Sequence, residues 1–266
     1  MIEVDKKIDK IFRTVSAAAA HLGVRAFVIG GYVRDYFLGK PSEDVDIVVE
    51  GSGIALAKEV ASMLGEISGR ELKVTVFKSF GTAMLKFRGV EVEFVGARRE
   101  SYNRDSRNPI VEDGTLEEDQ CRRDFTINAM AFSLQEDDYG TLVDPFGGIA
   151  DMAAGIIRTP LDPDTTYSDD PLRMLRAVRF ASRLGFQIVP ESIESMRRNR
   201  DRLEILSAER ISEELGKMLM TDHPSRAFYL LDECDLLDKI LPEVAALKGV
   251  ETVQGRGHKD NFAHSL

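Results

Sequence analysis

One short stretch constrains this chain more than any other. The apolar run Phe27-Val28-Ile29 breaks at Gly30-Gly31, continues as Tyr32-Val33-Arg34-Asp35, and leads to a second apolar run that carries Asp44 and Asp46. A strand, a tight turn, a helix and a second strand are the reading, since glycine permits a backbone turn that a β-carbon would forbid. Alternate residues of a strand share one face and lie roughly 6.5–7 Å apart, so Asp44 and Asp46 point the same way. Two carboxylates on one face can hold two divalent cations.

That arrangement suits chemistry at phosphorus. Paired Mg²⁺ ions roughly 4 Å apart serve an in-line displacement, one at the attacking oxygen and one at the leaving group. Magnesium keeps waters and borrows phosphate oxygens, so two protein carboxylates and a nearby third suffice. Gly30-Gly31 supplies the other half, aiming backbone N–H groups at an anion over a helix N-terminus. Taken singly, a Gly-Gly is an ordinary turn and an Asp-x-Asp an ordinary solvated strand edge; the spacing that joins them gives the signal.

Composition narrows the partners. The chain has 266 residues, enough for two domains, and 43% hydrophobic residues supply real cores. Cys121 and Cys234 match no metal-ligand spacing, so a reducing compartment with two inert thiols is expected. No apolar segment near the N-terminus or elsewhere reaches the eighteen residues of a membrane span, which points to a cytoplasmic protein with no membrane partner. A formal net charge of −10 excludes an indiscriminate nucleic-acid binder. Any contact with RNA must be local.

Helical spacing of Ile8, Ile11, Phe12 and Val15 predicts a helix over Asp5 to Leu22, and Ile54 to Leu64 predicts a second that Gly65 ends. Strands are expected at Lys73–Phe77, Thr82–Phe87 and Val90–Val95, the last two joined by a hairpin at Arg88-Gly89. Glu91 and Glu93 alternate with Val90, Val92 and Phe94, so both face away from the apolar side, and one of them is the natural third carboxylate. From Gly96 to Glu118 there is no periodicity: Arg98, Arg99, Arg104 and Arg107 are interleaved with polar residues. Such a loop is functional or simply a charged surface.

The second half reads as helices. Pro160 to Ser168 has a boundary composition, and Asp169 to Leu184 is helical, with Asp169 or Asp170 able to cap it and Pro171 suited to its first turn. Asp170, Arg173, Arg176 and Arg179 recur every third residue and sweep about half the helix circumference. A solvated basic face is one reading. The other is recognition of a base, since a carboxylate accepts from an exocyclic amino group while a guanidinium one turn away donates to a ring nitrogen or carbonyl. Cytosine and adenine carry such amino groups where uracil and guanine carry oxygens, so this site should accept CTP and ATP. Arg176 and Arg179 would then face the triphosphate. Between Asp170 and Arg210 nine Arg and no Lys oppose six Asp plus Glu, a local net of +3 where an RNA backbone can bind.

Taken together, Gly30-Gly31-Tyr32-Val33-Arg34-Asp35, Asp44-Val45-Asp46-Ile47, Arg122-Arg123-Asp124-Phe125-Thr126-Ile127-Asn128-Ala129 and Asp169-Asp170-Pro171-Leu172-Arg173 resemble, in order, the motifs of the nucleotidyltransferase superfamily. More narrowly, they resemble those of the tRNA CCA-adding enzymes (class II tRNA nucleotidyltransferases) and bacterial poly(A) polymerases. One departure is Asp169, where that family usually has glutamate. The resemblance covers Ala26 to Leu241 and implies an α+β fold: a head of mixed β-sheet flanked by helices (residues 1–160), then an all-helical neck (161–250). It further implies that residues 251–266, with His258 and His264, open a truncated C-terminal HD-like domain.

For the site, the resemblance implies Asp44, Asp46 and Glu93 as catalytic and metal-binding, Glu93 because it stands five residues before Arg98. It implies Gly31, Arg34, Arg123, Asp124, Asn128, Asp170, Arg173, Arg176 and Arg179 as nucleotide-binding. Arg123 offers a guanidinium to a phosphate and Asp124 an acceptor to a ribose hydroxyl, while a helix cap is an alternative role for Asp124 that can coexist with it. Glu209-Arg210-Ile211 with Glu214-Leu215 resembles the motif that braces the base-reading helix. The expected activity is template-independent addition of CCA to the 3′ end of tRNA from CTP and ATP with Mg²⁺. Poly(A) synthesis, partial CC- or A-addition, and a catalytically silent RNA-binding module are the alternatives.

Overall fold

The structure, a computed structural model, describes residues 2–40, 42–101, 110–249, 252–253, 256–257 and 260–265. Arg104, Arg107 and His258 lie outside them. The chain divides into two compact units, one formed by residues up to Ser101 together with Ile110–Ile149, the other including everything described from Ala150 onward.

In the first unit the helix α1 (Lys6–Leu22) is capped by the Asp5 side chain and ends at Gly23 in the left-handed conformation. β1 (Ala26–Ile29), α2 (Gly31–Phe37) and β2 (Asp44–Val49) follow, then α3 (Gly53–Ser68). The latter runs through Gly65, where a helix end was expected, and stops at Gly69, which has φ +65°. A glycine inside a helix costs only about 1 kcal/mol, and the Arg70 carbonyl lies 3.0 Å from where a β-carbon on Gly65 would sit. Close backbone approach, not termination, accounts for that glycine.

β3 (Val74–Phe77), β4 (Thr82–Phe87) and β5 (Val90–Gly96) lie where the alternation puts them. Arg88 and Gly89 both take positive φ, 51° and 88°, the turn whose twist matches a two-residue hairpin. The stretch without periodicity is not all loop: β6 (Arg98–Ser101) pairs antiparallel with β7 (Ile110–Asp113) as a ribbon. α4 (Leu116–Cys121) follows behind a capping box of Thr115 and Glu118. α5 (Thr126–Ala129), β8 (Ala131–Ser133) and β9 (Leu142–Val143) complete the unit.

Seven strands make one sheet in the order β3-β4-β5-β2-β1-β8-β9, antiparallel throughout except that β2 and β5 run parallel. Val45, Ile47 and Val49 of β2 are buried on one face; on the other, Val48 joins a core of Phe27, Ile29, Ala97, Leu116 and Ala131. That core closes the far end of the Asp46 face. Its near end carries the carboxylates.

The second unit is helical. α6 (Gly148–Ala154) leads in, and α7 (Pro163–Asp169) occupies the segment whose composition suggested only a boundary, with Asp162 as cap and Pro163 in the first turn. α8 (Leu172–Leu184), α9 (Pro190–Asn199), α10 (Ala208–Leu219) and α11 (Pro224–Glu233) follow. α8 packs on α10 and α11, and α7 packs on α9, where Asp164 accepts from Ser195, Arg198 and Asn199. Among the described residues no helix is long and apolar enough to cross a membrane. Cys121 and Cys234 are free thiols.

Candidate nucleotide and metal site

Register brings the carboxylates together. Because β2 and β5 are parallel neighbours, Asp46 lies directly opposite Glu93 and Asp44 opposite Glu91. Glu91 is ion-paired with Lys86, whereas Glu93 has Asp46 as its charged neighbour. Burial pushes the Asp46 carboxyl above the usual carboxylate range, Arg123 pulls it back, and Asp44 pushes it further up. Burial and then the Asp46 charge push Glu93 up, against the opposing pull of Arg98 and a Thr82 hydrogen bond.

Crowded carboxylates that resist ionisation side by side are what a divalent cation relieves. Among the described residues no three His, Cys, Asp or Glu side chains form a ready-made metal cluster. A hard cation that takes one or two carboxylates and completes its shell with water and phosphate oxygens needs none. The residues present fit such an ion.

Gly30 shapes the other wall. It sits at φ +80° as the residue before α2, its N–H donating to the Met130 carbonyl at 3.2 Å. A β-carbon there would lie 2.9 Å from Arg123 Nη1 and 3.5 Å from Asp46 Oδ2. Only a residue without a side chain leaves room there for both the guanidinium and the carboxylate. Gly31 opens α2, 3.7 Å from Arg34 Nη2 by the same measure.

A buried hydrogen-bonded chain runs alongside. Arg34, only 5% exposed, donates from Nε to Asp35 Oδ1 and from Nη1 to Asn128 Oδ1, both at 2.8 Å. Asn128 Nδ2 donates in turn to Asp124 Oδ1 at 3.0 Å, which also accepts the Phe125 N–H at 2.8 Å. Phe125 is the N-cap residue of α5 and uses no side-chain cap, so Asp124 holds the turn one residue earlier than a cap would. Arg34, Asp124 and Asn128 are thus joined in one network, and Arg123 Nη1 meets it at the Asn128 carbonyl, 3.4 Å away.

Sequence reasoning passed over Asp119 and Gln120. Asp119 is fully buried and receives Arg122 and Arg123, while Gln120 donates to the carbonyls of Ala129 and Val143. Asp119 stands three and four residues before the two arginines, the helical ion-pair spacing. That spacing was the available signal.

In the second unit α8 begins at Leu172 behind Pro171, later than Asp169, and neither aspartate is its N-cap residue. Asp170 closes α7 in an extended conformation, and its Oδ1 accepts the Leu172 N–H at 3.1 Å. Arg173 Nη1 donates to the Thr166 carbonyl at 3.4 Å. Asp170 and Arg173 are half-buried neighbours at the start of α8. Arg176 follows, its guanidinium 5.5 Å from the Phe180 ring centre.

Arg179 departs from the expectation that it faces a triphosphate. Its Nε donates to Glu214 Oε2 of α10 at 2.6 Å, and its guanidinium lies 4.2 Å from the Phe180 ring centre. Six residues, one and two-thirds turns, separate it from Arg173 within α8, which turns it about 120° away around the helix. Glu214 is therefore the group by which α10 braces α8.

A mixed sheet with paired strand carboxylates beyond a strand–Gly-Gly–helix turn defines a nucleotidyltransferase head. The chain belongs to the poly A polymerase head-domain family, whose pattern it matches over residues 26–158. Residues 185–248 match the family described as a probable RNA and SrmB-binding site of polymerase A.

An A-adding tRNA nucleotidyltransferase of Aquifex aeolicus is 50% identical over 165 residues, 62% of this chain and 19% of that protein. A multifunctional CCA protein of Nitrosomonas europaea is 41% identical over 239 residues, 85% of this chain and 52% of that one. A solved CCA-adding enzyme, apo form II, superposes with a TM-score of 0.81 at 33% identity, over 90% of this chain and 55% of its own. A tRNA nucleotidyltransferase complexed with a primer tRNA and an incoming ATP analogue gives 0.73 at 36%, over 88% and 66%. The chain spans about half the length of most of these curated relatives and about a fifth of the Aquifex protein. Divalent-cation use is general to the family.

Proposed function

We propose that this chain carries the nucleotidyl-transfer machinery of an enzyme that adds CCA to the 3′ end of tRNA from CTP and ATP, releasing pyrophosphate. The observation that carries this reading is the opposition of Asp46 and Glu93 across parallel strands, beside Gly30 and Arg123. A divalent cation, Mg²⁺ by the hardness of the donors, would be held by Asp44, Asp46 and Glu93 and supply charge stabilisation at the reacting phosphoryl group.

The protein's own groups do the rest. The Gly30-Gly31 backbone and Arg123 receive phosphate oxygens; Asp124, held by Asn128 and through it Arg34, accepts from the ribose hydroxyl. Asp170 and Arg173 read the amino edge of cytosine or adenine, Arg176 meets the phosphates, and Arg179 holds their helix in place. The arginine-rich stretch up to Arg210 takes the tRNA backbone. Residues 1–160, 161–250 and 251–266 are proposed as head, neck and the start of an HD-like domain, in a cytoplasmic protein. Transcripts of tRNA lacking one, two or three terminal nucleotides, each offered CTP or ATP singly, test the reading. Incorporation onto none of them would end it.

Addition of the terminal A alone is the second reading, favoured by the 50% identity to the Aquifex A-adding enzyme. It predicts ATP use on transcripts ending in CC and no use of CTP.

The third carboxylate gives a paired test. Glu93→Gln is expected to lower kcat roughly ten- to a hundredfold, while Glu91→Gln, which breaks an exposed pair with Lys86 of small worth, stays within about threefold. The reverse order in steady-state kinetics would mean that Glu91 is the ligand.

Base choice gives another. Asp170→Ala removes the acceptor for the amino group, roughly 1–3 kcal/mol of discrimination, or about a five- to hundredfold fall in preference for ATP and CTP over GTP and UTP. Asp170→Asn is the control, since its Oδ1 can still accept the Leu172 N–H. Read as kcat/KM for all four nucleotides on a tRNA lacking its terminal A, an unchanged ranking would reduce this face of α8 to a phosphate-binding surface.

A further inference from the structure

Asp119 ties together two segments that each reach toward the carboxylates. Its Oδ1 accepts the backbone N–H of Arg98 at 3.3 Å and Arg122 through Nε at 3.0 Å and Nη2 at 2.5 Å. Its Oδ2 accepts Arg123 Nε at 3.2 Å. The carboxylate is fully buried, and both of its oxygens accept hydrogen bonds.

Both anchored residues lead to the carboxylate pair. Arg123 extends from Asp119 to the edge of Gly30, where its Nη1 stands 2.9 Å from the place a β-carbon would take, with Asp46 Oδ2 3.5 Å from the same point. Arg98 opens the ribbon strand β6, donates from Nη2 to the Phe80 carbonyl at 3.0 Å, and exerts its charge on Glu93. The hub therefore fixes the Arg123 guanidinium beside Asp46 and the backbone from which Arg98 springs.

We propose that Asp119 is a positioning residue for nucleotidyl transfer: it holds the Arg123 guanidinium against the Gly30 backbone beside Asp46 and fixes the base of the β6–β7 ribbon to the same point. The inference rests on the transfer reading above and deepens it, with Asp119 acting through Arg123 and not on substrate.

Asp119→Asn is the informative variant, because the amide keeps one acceptor and turns the other into a donor that confronts a guanidinium. Charged hydrogen bonds of this kind correspond to roughly a ten- to hundredfold effect. The expected result is a rise in KM for CTP and ATP and a fall of that order in kcat/KM, with circular dichroism of the folded protein unchanged. Binding of a non-hydrolysable ATP analogue by the 266-residue chain should weaken in parallel. A double-mutant cycle then asks through which group Asp119 works: added to Arg123→Ala, Asp119→Asn should cost little more.

If Asp119 only braces the fold, the melting temperature and the active fraction fall while KM holds, and the two substitutions add; either result overturns the proposal. Should Asp119→Asn fail to fold, Asp119→Glu keeps the charge and both acceptors but displaces them by a methylene, and it is expected to raise KM for CTP and ATP; a folded Asp119→Glu protein with the wild-type KM overturns the proposal. An inactive wild-type protein would overturn the transfer reading and this inference together, whereas an active wild type with additive variants overturns this inference alone.

Discussion

Asp46→Ala is expected to abolish nucleotide incorporation and at the same time to make the cation-free protein more stable at pH 7. The first effect follows from the ligand set: with Asp46 gone, Glu93 and Asp44 no longer share a neighbour between them. The loss is expected to be at least about a hundredfold in kcat, equivalent to roughly 3 kcal/mol of transition-state stabilisation. Single-nucleotide incorporation on a CC-ending transcript measures it. Turnover above a few per cent of wild type would remove Asp46 from the chemistry.

The second effect follows from the same crowding. Burial and the neighbouring carboxylate raise the folded-state pKa of Asp46 and of Glu93 above ordinary values. A carboxyl raised in this way contributes stability that is fully present below its unfolded pKa and is lost as the pH climbs through its folded one. As the pH rises into that range, ionisation of the pair comes at the expense of the fold. Removing Asp46 removes that expense, and a divalent cation offsets it in the wild type. Melting temperature should therefore rise with added Mg²⁺ in the wild type, rise more at pH 7 than at pH 4.5, and respond weakly in Asp46→Ala. Equal responses in both proteins would show that the ion binds elsewhere.

Local chemistry made the sheet legible, and long-range packing hid the rest. Strand alternation and the Arg88-Gly89 turn mark β4 and β5 to within a residue because a hairpin is specified by its own side chains. Parallel pairing of β2 with β5 is not local, yet it decides that Glu93 and not Glu91 lies opposite Asp46. The β6–β7 ribbon is not legible in the sequence, since its pairing joins segments whose residues lack alternation; Arg99 with Glu112 and Glu118, together with Gly114 packed against the Arg99 N–H, hold it instead. α7 was hidden by prolines that suit a helix start as well as a linker. Asp119 was hidden because a buried carboxylate among acidic neighbours Glu117 and Glu118 looks in sequence like surface charge. Arg179 was hidden by the same logic, an arginine on a basic helix that is neutralised from another helix thirty-five residues on.

That last pair carries the largest stability effect expected in the second unit. The Arg179 and Glu214 side chains are 9% and 4% exposed, so water does little to soften the loss of either charge. Glu214→Ala leaves the guanidinium buried without its carboxylate, and breaking such a pair from one side costs about 3–5 kcal/mol. Lys217, which also contacts Glu214 at 3.2 Å from an exposed position, cannot compensate, since it carries the same sign as Arg179. Replacing both members by apolar side chains of similar size removes the buried charge altogether and is expected to recover most of the loss. Urea unfolding followed by circular dichroism should therefore rank wild type and the double variant Arg179→Met with Glu214→Leu close together, and Glu214→Ala well below both. A Glu214→Ala protein within about 1 kcal/mol of wild type would mean that the Arg179–Glu214 pair is not what braces α8 to α10.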